Sequence, residues 1–233
     1  MAPSGWTHPD QCPIRIIQVR TLRGILAADP ALAPGGDAGE AAAGVLSCTL
    51  TAITDMAARL VRLRVPSPSD LARSCVEACR VDLSAEEVSR WLACLGQMGM
   101  TDDQMASTRE AVSTHLSHLQ EVYRKRSDIN EKAREILRAS GGDSAVLRRS
   151  KALVWDRLMD NVRQEQQVAV DGPRHLLLSI LTPPQAARLI VEMHPGGVDM
   201  VKMGVALAAL ACGGDGGQSD PEEGYQARAA SLA

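Results

Sequence analysis

Phenylalanine is absent from this chain of 233 residues, and aromatic residues make up 2% of it. The core is therefore expected to be aliphatic, built from Leu, Val, Ala, Ile and Met. No excess of charge of one sign exists: 25 basic residues stand against 28 acidic ones, for a formal net charge of -3. A global basic field that would gather nucleic acid is thereby excluded. No uninterrupted apolar run reaches the roughly 18 residues expected of a bilayer-spanning helix, so no membrane span is expected. No glycine pair sits in a phosphate-loop or dinucleotide pattern, and neither Gly-x-Ser-x-Gly nor His-Glu-x-x-His occurs. The six cysteines, Cys12, Cys48, Cys75, Cys79, Cys94 and Cys212, follow no metal or disulfide spacing, which predicts reduced thiols and no bound metal. Arg15, Arg20 and Arg23 near the start permit a transit peptide, but Pro3, Pro9 and Pro13 spoil an early amphipathic helix.

What is present is helical periodicity. Residues 1–13 read as an irregular lead. A stripe from Ile14 to Leu26 predicts a first helix that stops before Pro30, because proline disfavours helix at the residue preceding it. A second runs from about Glu40 to Leu63, and a short third is expected between Ser69 and Arg80. Ser84 with Glu87 has the form of a capping box and opens a helix that breaks near Gly96 and Gly99. Thr101 or Asp102 caps the next segment, which holds neither Gly nor Pro as far as Arg138. At about 1.5 Å per residue it would be a rod roughly 57 Å long, a length that suits a hairpin or bundle. Gly141-Gly142 is the expected turn. A return helix starts near Ala145 and should kink or stop at Gly172-Pro173. Thr182-Pro183-Pro184-Gln185 reads as another capping box with proline at the first helical position. A last apolar helix spans about Val198 to Cys212, and the Gly-rich stretch beyond it reads as disordered.

The expected fold is all-α: a helical bundle of about seven or eight helices built around a long antiparallel hairpin. Its expected parts are a lead (1–13), an N-terminal helical subdomain (14–83), a hairpin domain (84–212) and a tail (213–233).

The chemistry-bearing candidates have modest readings. His115 and His118, three apart on the long helix, could ligate a metal from one face, but no third ligand is in register and two ordinary imidazoles are the favoured reading. Cys75 and Cys79 read as packing residues. Arg124, Lys125 and Arg126 form the densest basic patch. A phosphate or an import receptor could meet it, and a solvated helix face is the favoured reading. Asp156 and Asp160 near Arg157 and Arg163 read as a solvated face.

Two stretches carry a resemblance. One is Met100-Thr101-Asp102-Asp103-Gln104, leading the long helix through Leu119, Tyr123, Arg126 and Ile136. The other is Ile180-Leu181-Thr182-Pro183-Pro184-Gln185-Ala186-Ala187-Arg188-Leu189. Together they resemble the C-terminal region of TGA-type basic leucine-zipper transcription factors of plants and green algae, a helical regulatory domain of the delay-of-germination type. The resemblance covers about residues 84–210. It implies a non-enzymatic module that regulates transcription through partners, in the nucleus or otherwise in the cytoplasm. It marks Thr182, Gln185 and Arg188, with Arg124, Lys125 and Arg126, as interaction candidates. Members also bind small ligands or partner proteins; no residue here names a cofactor, and none is expected. Residues 1–83 hold no basic region followed by a zipper, and no Asn precedes Asn130. Specific DNA binding is therefore not expected, and a protein partner is. The alternative is a structural or oligomerisation module, a coiled-coil rod that self-associates; whether apolar surface is left over on residues 101–138 once the hairpin closes discriminates the two.

Overall fold

A computed structural model of the chain describes residues 13–28, 40–63, 83–139 and 144–213. Those residues are mostly helical, with no strand among them. The elements are α1 (Pro13–Ala28), α2 (Glu40–Leu63), α3 (Ala85–Gln97), α4 (Asp102–Ala139), α5 (Ser144–His175), a π-helical turn (Leu176–Ile180), α6 (Pro183–Glu192) and α7 (Met200–Gly213). The expected short helix after Ser69, the Gly141-Gly142 turn, Cys12, Cys75, Cys79 and the tail beyond Gly213 lie outside the described residues.

Local chemistry sets most element starts. Ser84 Oγ accepts from the Glu87 N–H at 3.2 Å, and Glu87 returns a carboxylate oxygen to the Ser84 N–H at 3.1 Å. Each bond satisfies a donor that a helix start would otherwise leave bare. Lys202 also donates to Glu87 at 2.8 Å, which lowers the Glu87 pKa and ties α7 to the start of α3. Gly99, at φ +60, turns the chain after α3. Asp199 Oδ1 accepts from the N–H groups of Val201 and Lys202 at 2.9 and 3.1 Å and starts α7 two residues later than Val198.

α4 is one unbroken helix of 38 residues, as the absence of Gly and Pro predicts. α5 does not stop at Gly172-Pro173: the helix passes through Pro173 and ends at His175. Proline has no N–H, so one ladder bond is missing there. The chain widens only afterwards, where the Leu181 N–H bonds the Leu176 carbonyl at 3.1 Å, five residues back.

α4 packs most extensively on α5, and α7 lies on α4 and α3. Side chains early in α4 meet residues late in α5: His115 lies against Gly172, Tyr123 meets Glu165, and Arg126 meets Asn161. α1 packs on α6, while α2 packs on α5, α6 and the π turn. One buried cluster takes Val19, Leu22, Leu46 and Leu50 from before residue 83, and Trp91, Val112, Leu176, Leu189 and Met203 from after it. Buried Met98, Met193, Met200 and Met203 fill volume in a chain without Phe.

By length and composition Ala41–Leu63 is long and apolar enough to cross a membrane, although it contains no uninterrupted apolar run. Its hydroxyls explain the difference. Thr49 and Thr51 donate to carbonyls four residues back and Thr54 to one three back, so the helix hides polar groups that a search for apolar runs counts as breaks. In the structure this helix gives Leu46 and Leu50 to the core, and Asp55 pairs with Arg174 of α5 at 2.7 Å.

Candidate functional site

The basic triplet does not form one surface. Arg126 is 1% exposed. Its Nε donates to Asn161 Oδ1 at 2.8 Å, and its Nη2 to Glu165 Oε2 at 2.6 Å. Its guanidinium stands 5.3 Å from the centre of the Tyr123 ring. The Tyr123 hydroxyl donates to the other Glu165 oxygen at 2.7 Å, and Asn161 Nδ2 donates to the Val122 carbonyl at 2.8 Å. A buried charge survives only when it is paired and hydrogen-bonded, and every member of this group is. The placement of Arg126 on a solvated basic face is thus corrected: it lies between α4 and α5. Arg124 and Lys125 are on the surface, and Glu121 holds both, at 2.8 and 3.4 Å. The Arg124 guanidinium, then Lys125, push the Glu121 carboxyl down to about 2. Asp128 adds a contact to Arg124 at 3.5 Å. What reads as three positive charges in sequence is one buried ion pair and a compensated surface cluster.

The residues at the other two candidate positions meet each other. Gln104 Oε1 accepts from the Thr101 N–H at 3.1 Å, and Thr101 Oγ1 accepts from the Gln104 N–H at 3.2 Å, a capping box at the start of α4. Thr182 and Gln185 form a second box at the start of α6, where the Thr182 N–H donates to Gln185 Oε1 at 2.9 Å. The two glutamine amides then bond reciprocally, Gln104 Nε2 to Gln185 Oε1 at 2.9 Å and Gln185 Nε2 to Gln104 Oε1 at 3.2 Å. Gln104 also donates to the Ile180 carbonyl at 3.0 Å, and Gln185 to those of Met98 and Gly99 at 3.2 and 3.3 Å. Two helix starts 81 residues apart are clasped through the residues that cap them. Both amides are used fully as donor and acceptor. Gln185 is therefore a structural residue, buried with Ala186, Ala187 and Leu189, while Arg188 is half-buried and engaged.

His115 and His118 do not converge. His115 is buried, with its Nδ1 against Gly172 and without a hydrogen-bond partner, while His118 is exposed. Burial lowers the His115 pKa, against the opposing pull of Asp199. Among the described residues no three His, Cys, Asp or Glu side chains gather as metal ligands. Burial raises the Cys94 thiol to about 11, which leaves it protonated and unreactive at neutral pH.

One feature of the surface had no place among the sequence candidates. At the end of the α4/α5 pair nearest residues 139 and 144, an open groove of about 530 Å³ runs between Ala133, Ile136 and Leu137 of α4 and Val154, Trp155 and Leu158 of α5. Trp155 is 54% exposed, and Leu137 and Leu153 are exposed to a similar degree. The signal was present in sequence as doublets, Ile136-Leu137 and Val154-Trp155. Adjacent residues on a helix point about 100° apart, so one partner helix cannot cover both.

Comparison with models of protein families, with curated proteins and with solved structures finds no match to this chain.

Proposed function

We propose that this chain is a non-enzymatic regulatory module that acts by binding a protein partner, and that its setting is transcription, as the resemblance to the C-terminal region of TGA-type zipper factors implies. Its fold is read as a bundle built around a long antiparallel hairpin, supported by the opposed order of the contacts His115–Gly172, Tyr123–Glu165 and Arg126–Asn161. The observation that carries the function is the apolar surface left over on α4 and α5, with Trp155 and Leu137 exposed around a groove. Contiguous exposed apolar patches on soluble chains mark docking sites.

The electrostatics favour a protein partner over DNA. Affinity for a duplex comes chiefly from Lys and Arg that neutralise phosphates, and base reading needs side chains on a helix that enters the major groove. Arg126 is consumed between helices, and Glu121 compensates Arg124 and Lys125. Titration of purified protein against random and TGACG-containing duplexes at near-physiological salt is expected to show weak, salt-sensitive binding with less than a tenfold preference. A preference of a hundredfold or more, about 2.7 kcal/mol, would overturn this reading.

A further inference from the structure

The groove at the end of the α4/α5 pair is bordered by cations. On α4, Lys132 and Arg134 follow the face of Ala133, Ile136 and Leu137 by about 100° on either side, and both are exposed. On α5, Lys151 is exposed and stands in the lining itself. Glu131 and Glu135 fall by helical phase on the far side of α4, and Asp156 is the acid among the lining residues. No described residue holds Lys132, Arg134 or Lys151 in an ion pair, in contrast to Arg124 and Lys125. An apolar floor with an exposed tryptophan therefore coincides with three exposed cations that no described residue holds in an ion pair, although Asp128, Glu131 and Glu135 lie three or four residues from Lys132 and Arg134 on the same helix.

We propose that this groove is the docking site of an acidic amphipathic helix, whose apolar face covers Trp155 and Leu137 and whose carboxylates meet Lys132, Arg134 and Lys151. This rests on the reading of the chain as a protein-binding module. A helix is the fitting shape because the groove lies between two helices, which accept the i, i+3/i+4, i+7 face of a third. Charge selects the acidic partner. A second copy meeting this face about a two-fold axis would bring the same three cations to the groove margin again, and so supplies no excess of carboxylate to meet them. A tryptophan in the lining and charge at the rim divide the work: the first holds the partner, and the second selects it and speeds its approach.

The test uses the full chain and three labelled 18-residue peptides, followed by fluorescence anisotropy. The first has leucines along one helical face and glutamates elsewhere. The second replaces every glutamate by lysine. The third keeps the first composition with the leucines dispersed around the helix. The first is expected to bind at least tenfold more tightly than either control. Trp155→Ala should weaken it at least tenfold while leaving the circular dichroism of the protein unchanged, since the side chain is half exposed. Lys132→Glu with Lys151→Glu should weaken the acidic peptide and strengthen the lysine peptide. Equal binding of the lysine peptide, or indifference to Trp155→Ala, would overturn the inference. Self-association by light scattering that disappears in Trp155→Ala would assign the groove to a second copy, overturning the acidic partner while leaving the interaction module standing.

Discussion

Arg126→Ala should destabilise the protein by about 3–5 kcal/mol, the usual cost of breaking a buried ion pair by removing one partner. The substitution leaves Asn161 Oδ1 without its guanidinium donor and Glu165 with only the Tyr123 hydroxyl, and it opens a cavity beneath the Tyr123 ring. Arg126→Lys should lie between, because one ammonium cannot reproduce the fork that reaches Asn161 through Nε and Glu165 through Nη2. Arg126→Met combined with Glu165→Leu should recover part of the loss, since apolar residues of similar volume can replace a buried pair at little cost, but Asn161 Oδ1 still loses its guanidinium donor and the Tyr123 hydroxyl its carboxylate. Urea unfolding of the four proteins gives the comparison. A loss below about 1 kcal/mol in Arg126→Ala is what a solvated basic face would give, and it would refute the buried placement.

Gly172→Ala should be destabilising by about 1–3 kcal/mol, although alanine is favoured over glycine in a helix interior by about 1 kcal/mol. A Cβ at position 172 would stand 2.3 Å from His115 Nδ1, and the ring cannot yield easily because it is buried. The cause can be isolated. Combining Gly172→Ala with His115→Ala removes the obstruction, and the coupling between the two changes should reach about 1–3 kcal/mol in favour of the double variant. Additive effects in thermal or urea unfolding would show that α4 and α5 do not approach at this point. Gly204 marks a second close approach, with Val112 Cγ1 3.0 Å from where its Cβ would lie, so glycines on α5 and α7 let both helices come near α4.

Helix identities were legible because each rests on local chemistry. Ser84 with Glu87 and Thr182 with Gln185 are spacing patterns that bring their own hydrogen bonds, and both appear in the structure. The unbroken α4 follows from a segment with neither Gly nor Pro. What misled was reading charge as exposure. Leu119, Arg126 and Ala133 are spaced by seven, the interval of residues that face one partner helix, and the arginine in that series points inward with its neighbours. Its partners Asn161 and Glu165 fall on the apolar stripe of Leu158 and Val162 on α5, so a polar residue in an apolar register was the available signal on both helices. The clasp between Gln104 and Gln185 lay beyond local reasoning. Each glutamine is explained by its own cap, and nothing in either cap requires the other. The apolar average of α2 does not show as an uninterrupted run, because the hydroxyls of Thr49 and Thr51, bonded to their own helix, interrupt it in sequence.

The role proposed for the exposed groove can be read in cells. The full chain fused to an unrelated DNA-binding domain, placed upstream of a reporter in plant cells, should change reporter output several-fold relative to that domain alone. Trp155→Ala should return output to the level of the domain alone at equal protein abundance. Unchanged output from the intact fusion, or an effect that survives Trp155→Ala, would contradict a regulatory module that works through this surface.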